Sequence, residues 1–600
     1  MIKSPVIKAI TATVSALMIF SAVSVSANAA SIDNNSKTLS KFQIKTSDNT
    51  KNDIPSAYNS VELGIVNSPK SQKYNDCWIY SSLSVLETKL LKKDFTANNF
   101  SAEHMNLWAT TKSNGKGWQR NVTSDGYAFT ALGYLSSWQG GIEQSDYDTL
   151  AEKYTPDKDL SAFVNYGVTA IKYLDDCTQE EIKQEIIDNG SIYAAYSHSP
   201  YYENNDRTAY FCPQGSPKFT GHAIAIVGWD DNYSKENFKA INGVLPENDG
   251  AWLVKNSWGD YNTLNGYFWL SYEDSYLFSS TFKYNFAVED VTEITDDVKL
   301  MQNEIYGATY EFNYINDDSV TYLNLFNFSE GYNKLDSVMF ETTAKNSDYE
   351  IYYVPAENKI PVSDETKWTK LNSGKVPYSG YLNIDTNDFD LPVTYGAIAV
   401  KIKKNNESEK NTIGVGEWLN KSNGQFAFIN ESQKGESFIY QNGTMTDLLD
   451  WYKTERDDNL GGTFVIKAVT NKTELAVTLL GDIDLNNKID IKDATDLQIA
   501  ISGGSKLSAV QNLNADTEEN GEINVNDVTQ LQFMIANNNV MPTSVANIDV
   551  LIPAIRSLSV IPKILTAITP TANAKTPTFI FLINAIIITT KNNIKATTSI

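Results

Sequence analysis

Apolar positions along the chain recur with different spacings, and the changes of spacing mark the predicted elements. Ile79, Leu83, Leu86 and Leu90 lie three or four residues apart, so the segment after Cys77 is predicted to be an amphipathic helix with Cys77 in its first turn. GHAIAIVGWDD, which contains His222, and AWLVKNSWGD, which contains Asn256, open on unbroken apolar runs of strand length and fit buried strands. From 290 to 470, stretches such as GAIAVKIKK (396 to 404) and GTFVIKAVT (462 to 470) alternate or run apolar over strand lengths, with Asn/Asp/Gly/Ser clusters between them. That is the pattern of an all-β sandwich. GDIDLNNKIDIKDATDLQIAI and ADTEENGEINVNDVTQLQFMI, about 34 residues apart, form an internal duplication in which each polar loop leads into one helix.

These patterns divide the 600 residues into several domains, as length alone requires. Residues 1–29 read as a secretory signal peptide, with Lys3 and Lys8, a short apolar run, and Ala27-Asn28-Ala29 as a small-residue cleavage site. Residues 30–55 are a polar linker or short pro-segment. Mixed helix and strand patterns make 56–285 an α+β domain, followed by the sandwich at 290–470 and the duplicated segment at 478–537. The tail 541–600 has Asp549 as its only acidic residue and reads either as weakly membrane-associated or as a segment not translated in the natural frame. A net charge of −24 argues against nucleic acid as a partner, because phosphate binding needs basic patches. Three cysteines exclude a disulfide scaffold, and a Cys177–Cys212 pair would leave Cys77 as the odd thiol.

A thiol at a helix N-terminus is favoured as thiolate, and a nearby imidazolium favours it further. The chain has three histidines. His104, in a polar lead into a helix, reads as structural or exposed, and His198 has no evident orienting partner in the sequence. His222 differs, because the following strand ends in Asn256 and Trp258. Asn256 could hold one ring nitrogen so that the other points at Cys77, with Trp258 shielding that bond from water.

The blocks CWIYSS, GHAIAIVGWDD and KNSWGDYNTLNGYFWLSY, in that order, resemble the papain-like (C1 family) cysteine peptidases, and His222 falls 145 residues after Cys77. The resemblance implies a two-lobed α+β peptidase in which Cys77 attacks the peptide carbonyl, His222 is general base and acid, and Asn256 orients His222. It also implies an oxyanion hole built from the Cys77 N–H and a Gln side chain. Here that is Gln72, five residues before Cys77 where the family places it six before. Asn75-Asp76 replaces the usual Gly-small pair, so Asn75 is expected to tolerate a left-handed turn and Asp76 to cap the helix. Gly140-Gly141 resembles the glycine pair against which substrate lies, with a tight turn as the equal alternative, and Trp258 joins the candidate substrate contacts. Residues 290–470 resemble the lectin-like sandwich that follows the peptidase in some members, where sugar binding, peptide binding and bracing all stay open.

The duplicated segment carries calcium-loop spacing, which wants oxygen ligands at positions 1, 3, 5, 7, 9 and 12. These are Asp482, Asp484, Asn486, Lys488 (through its backbone), Asp490 and Asp493 in the first copy. They are Asp516, Glu518, Asn520, Glu522 (backbone), Asn524 and Asp527 in the second, with Gly521 at the sharp turn and Asn487 in its place in the first. Asp at position 12 and one helix per loop resemble a small α-helical type I dockerin. That resemblance implies calcium and a cohesin partner on a cellulosome scaffold, with Thr495, Leu497, Gln498 and Thr529, Leu531, Gln532 as a duplicated partner face. Two functions are therefore expected to compete: a secreted, cellulosome-docked cysteine endopeptidase, or an inactive papain-like binding component of the same assembly.

Overall fold

The computed structural model describes residues 54–536, apart from 96–98, 151–154, 156–157, 329–331, 393, 417–427, 430–431, 457–460, 473–478, 487, 506, 508 and 519. The expected signal peptide, nearly all of the linker, Asn487 and the apolar tail lie outside the described residues. Among those described, no helix is long and apolar enough to cross a membrane.

The predicted helix is α1 (Cys77–Lys92), and Ile79, Leu83, Leu86 and Leu90 are all buried in it. Each such side chain taken out of water contributes about 1.5–3 kcal/mol, which is what binds the helix to its neighbours. A second helix, α2 (Ala128–Ser136), packs beside it. An antiparallel sheet follows, built from β1 (Tyr166–Tyr173), β2 (Ile192–His198), β3 (Thr220–Asp230), β4 (Ala251–Lys255), β5 (Tyr267–Ser271) and β6 (Phe286–Glu293). These stand in the order β1-β6-β2-β3-β4-β5, and α1 lies on β3 and β6. The strand β6 runs through position 290, so the expected start of the sandwich cuts a strand that belongs to this first sheet.

The sandwich forms as predicted, with one difference. Its inner layer, β7 (Lys334–Thr342), β8 (Gly380–Asp390) and β9 (Ile466–Asn471), continues the first sheet, because β8 pairs with β1 at Gly380↔Lys172 and Tyr381↔Ile171. That junction requires glycine: Gly380 has φ +140°, and a Cβ there would lie 2.1 Å from the Ile171 carbonyl oxygen. The facing seven-stranded sheet closes the core through Tyr322, Ile351, Ile398, Val400 and Ile439 against Val338, Phe340, Leu382 and Ile466.

A buried ion pair of the sandwich also reaches the first part through a hydrogen bond. Lys467 Nζ lies 2.6 Å from Glu304 Oε1, both side chains being 1% exposed, and it donates to Ser137 Oγ just past α2 at 2.7 Å. The second oxygen of Glu304 accepts from the N–H groups of Tyr306 and Gly307. Replacing Lys467 by Ala strands a buried carboxylate. Thermal unfolding of the full chain is expected to show a destabilisation of about 3–5 kcal/mol, against a smaller loss for Lys467→Met with Glu304→Gln together.

Candidate active site

Cys77 is the first residue of α1, preceded at the N-cap by Asp76. Its sulfur accepts a hydrogen bond from the backbone N–H of Ala223, 3.4 Å away and 146 residues on in sequence. Ala223 follows His222 on β3, so the seating of α1 on β3 sets the thiol beside the imidazole. His222 Nε2 lies 2.8 Å from Asn256 Oδ1. The same oxygen accepts from the Ser257 N–H at 2.8 Å, which fixes the orientation of the carboxamide. An oxygen can only accept, so Nε2 carries the proton and Nδ1 is the basic nitrogen left for the thiol.

The other end of the carboxamide is also held, since Asn256 Nδ2 donates to Tyr261 Oη at 3.0 Å. Trp258 stacks on His222, with ring centroids 4.7 Å apart and planes 26° from parallel. Its partners are rings of the site, so its place here is the shield over the His222–Asn256 bond. Behind it lies a layer the sequence reading missed. Arg207 places its guanidinium 4.9 Å over Tyr261 and 5.8 Å over Trp258, and its Nε donates to Glu203 Oε2 at 2.9 Å. His198, thought to lack a partner, meets Trp258 edge-on at 4.9 Å and lies 3.0 Å from Tyr196 Oη through Nδ1. Burial pushes this imidazole down to about 3, and the Arg207 charge, with that of His222 whenever it is protonated, pushes the same way, so it is neutral at neutral pH. Tyr261 stood in the quoted Asn256 block, but no spacing marked it, and Glu203 with Arg207 reads as an ordinary surface pair.

Burial is also the largest influence on the reacting pair. It pushes the Cys77 thiol up to about 11, opposed by the N–H groups of Ala223 and Trp78, and pushes His222 down to about 4, opposed by Asn256. Neither group ionises readily alone near pH 7. Proton transfer from Sγ to Nδ1 makes two adjacent opposite charges, each stabilising the other.

Gln72 lies at the rim of this site. Its backbone N–H donates to Ser257 O, its Oε1 accepts from Ser257 Oγ at 2.6 Å, and its Nε2 donates to Tyr74 O at 2.7 Å. Three other expectations are corrected. Asp76 occupies the N-cap position but makes no capping bond. Its buried carboxylate instead accepts from the Tyr74 N–H at 3.1 Å and faces Arg120, because the loop folds back over it. Asn75 is not among the residues with positive φ, so no left-handed turn is used. Gly140 and Gly141 are both buried: a Cβ on Gly140 would lie 1.6 Å from Tyr134 Oη, and one on Gly141 would press on Phe100 and Leu86. They form a packing turn with no face open to a substrate. The open groove lies beside Asn75 instead, with a volume of about 610 Å³, and Asp125 is in its wall. His104 is structural as expected, buried with Nδ1 2.7 Å from Tyr134 Oη. Cys177 and Cys212 are unpaired, and Ser275 donates to the Cys212 sulfur.

The duplicated loops lead into α3 (Ile491–Ile501) and α4 (Val525–Ala536). In the first, carboxylate oxygens of Asp482, Asp484 and Asp493 lie within 4.8 Å of one another. Asp493 accepts from the N–H groups of Ile483, Asp484 and Asp490, and Asp527 accepts in the same register from Glu518 and Asn524. Asp490 and Asn524 accept from the amides of Lys492 and Asn526, at the start of each helix. Asp516 accepts from the amides of Asn520 and Gly521. Asn486 donates its amide to Asp482, and Lys492 Nζ reaches Asp484 at 2.7 Å. The Glu522 amide donates to Asn520, and Lys488 stands between Asn486 and Asp490. Leu497 and Leu531 are fully buried in the core between these helices, so they are not part of a partner face.

Comparison with known proteins agrees with this geometry. The model for "Papain family cysteine protease" matches residues 54–284 and that for "Lectin like domain" matches 300–470. A crystal structure of the protease and lectin-like domains of Cwp84, a surface layer associated protein of Clostridium difficile, is 36% identical with a TM-score of 0.60, covering 70% of this chain and 89% of that one. A structure of a variant of the clostridial cysteine protease Cwp84 after propeptide cleavage is 37% identical with a TM-score of 0.60, covering 70% of this chain and 100% of that one. Human cathepsin L2 is 25% identical over 225 residues, 36% of this chain and 60% of the relative, so the chain spans about three-fifths of the curated relatives it matches. With Cys77, His222 and Asn256 brought together inside the matched region, the chain belongs to the papain family of cysteine proteases and carries a lectin-like domain after the protease domain.

Proposed function

We propose that the protein is an exported cysteine endopeptidase that hydrolyses peptide bonds through Cys77, His222 and Asn256. The observation that carries this reading is the Cys77 sulfur on the Ala223 N–H while the neighbouring His222 is held by Asn256. His222 Nδ1 takes the thiol proton, Sγ bonds to the peptide carbonyl carbon, and the oxygen gains negative charge. The Cys77 N–H and one N–H of Gln72 are the donors for that charge. Collapse breaks the C–N bond while His222 returns the proton to the leaving amine, and water activated by the same imidazole then hydrolyses the thioester. Export and action at the cell surface are supported by the amino-terminal pattern and by the surface-layer description of the Cwp84 relative.

Tyr261 and the ring layer act through Asn256. If the carboxamide loses its Tyr261 anchor, the Nε2–H bond that favours the imidazolium weakens, and the ion pair then deprotonates at lower pH. Tyr261→Phe is expected to lower kcat by roughly three- to tenfold with little change in KM, as the loss of one positioning hydrogen bond implies. The alkaline limb of its kcat/KM profile should move to lower pH, and a limb that stays in place would assign Tyr261 to packing alone.

The duplicated loops are proposed to bind calcium and to dock the protein onto a cohesin. Hard carboxylate oxygens converging in the first loop, and the same N–H register around Asp493 and Asp527, fit that ion. Calcium would neutralise the crowded carboxylates of Asp482, Asp484 and Asp493 and stiffen the loop ahead of α3. Binding of the full chain to an immobilised cohesin is expected to vanish in EDTA and return with calcium, and binding that persists in EDTA would remove the proposal. For the protease, a thiol-directed epoxide is expected to label Cys77, and labelling should be lost in His222→Ala; equal labelling of both forms, or of neither, would leave a binding protein.

A further inference from the structure

The groove beside Asn75 has a lining of one chemical kind. Asn75, Thr111, Gln119, Arg120 and polar residues of the loop up to Asp125 form it, and none of its lining residues is apolar. Asn75 stands two residues before Cys77, so the groove lies against the short loop that leads into α1 and its first residue, Cys77.

Arg120 stands in this wall and its charge acts through space on Asp125 and Asp76, but its donors are turned into the protein. Nε donates to Asp125 O at 3.1 Å, Nη1 to the carbonyls of Asn106 and Ala109 at 3.1 and 2.9 Å, and Nη2 to Asn106 Oδ1 and Ser124 O at 3.0 and 2.7 Å. All five guanidinium donors are used, four of them on backbone carbonyls. Arg120 is 5% exposed, so it fastens the loop and leaves no donor for a ligand. The lysines of the adjoining segments lie over rings, Lys73 at 5.4 Å from the Tyr74 centroid and Lys112 at 5.3 Å from that of Tyr306. Asp125 is exposed, and Arg120 meets it through the backbone oxygen. Among the described residues no lysine or arginine forms an ion pair with its carboxylate.

We propose that Asp125 is a specificity-determining residue and that the groove beside Cys77 receives a cationic side chain, Lys or Arg, from a residue flanking the scissile bond. This rests on the endopeptidase reading. A polar wall solvates the stem and head of such a side chain, the Asp125 carboxylate supplies its counter-charge, and a substrate carboxylate would meet a like charge. The net charge of −24 steers cationic peptides toward the whole molecule in the same sense.

The test uses the full chain and peptide sets carrying Lys, Gln or Glu at each residue around the scissile bond in turn. At one flanking position, Lys is expected to exceed Glu in kcat/KM by roughly tenfold, as an exposed charge pair and its reversal imply. Asp125→Asn should reduce that ratio to about threefold or less, and Asp125→Glu should retain it. A flat profile, a preference for Glu, or a Lys preference that survives in Asp125→Asn would overturn the assignment. Should the protease reading itself fail, no peptide is cut and the epoxide leaves Cys77 unlabelled. Binding of the Lys and Glu peptides to Cys77→Ala then still decides the inference, which requires the Lys peptide to bind more tightly and Asp125→Asn to abolish the difference.

Discussion

The seating of one helix on one strand governs the chemistry of this molecule. The buried face of α1, from Trp78 to Leu90, drives the helix against β3 and β6, and its first residue is thereby pressed onto the Ala223 amide. No residue near Cys77 in sequence supplies an imidazole. A non-directional force, burial of apolar area, thus delivers a directional contact, because close-packed interiors leave few other ways to seat the helix.

The burial that positions the pair also sets its electrostatics. Removing water makes an isolated charge costly on either group, which raises the Cys77 thiol and lowers the His222 imidazole. Trp258, His198 and Tyr261 layer their rings behind Asn256, whose two ends are both hydrogen-bonded, and Arg207 covers that layer from the surface. The groove beside Asn75, by contrast, is polar and open.

The protease and lectin-like domains are joined by continuous sheet and by a buried charge. The β1–β8 pairing crosses this joint, and so does Lys467, which pairs with Glu304 of its own domain and donates to Ser137 of the other; each is costly to break, the first because strand edges would lose their partners and the second because a stranded buried ion is poorly solvated. A lectin-like domain coupled this tightly to the catalytic sheet presents any ligand it holds at a fixed distance from the groove.

Much of this was legible in the residues themselves. Local periodicity marked the helix after Cys77, the strands of His222 and Asn256, the sandwich, and the duplicated loops with their helices, because each is dictated by spacing within a few residues. Three motif blocks in order were enough to expect Cys77, His222 and Asn256 in one site. The misjudged residues all depended on neighbours distant in sequence. Gly140–Gly141 looked like a substrate wall until Tyr134 and Phe100 closed over it, and Asp76 looked like a cap until the Tyr74 amide and Arg120 took its carboxylate. His198 looked partnerless until β2 carried it to Trp258, and the strand at 290 belonged to the first sheet because its pairing partners precede it. What the sequence determined by itself was the identity of the elements and of the reacting groups, since those follow from local spacing and side-chain chemistry. Which side chain faces which was decided by the tertiary structure alone, because contacts across a hundred residues or more are chosen by packing, and packing leaves no periodic trace in the chain.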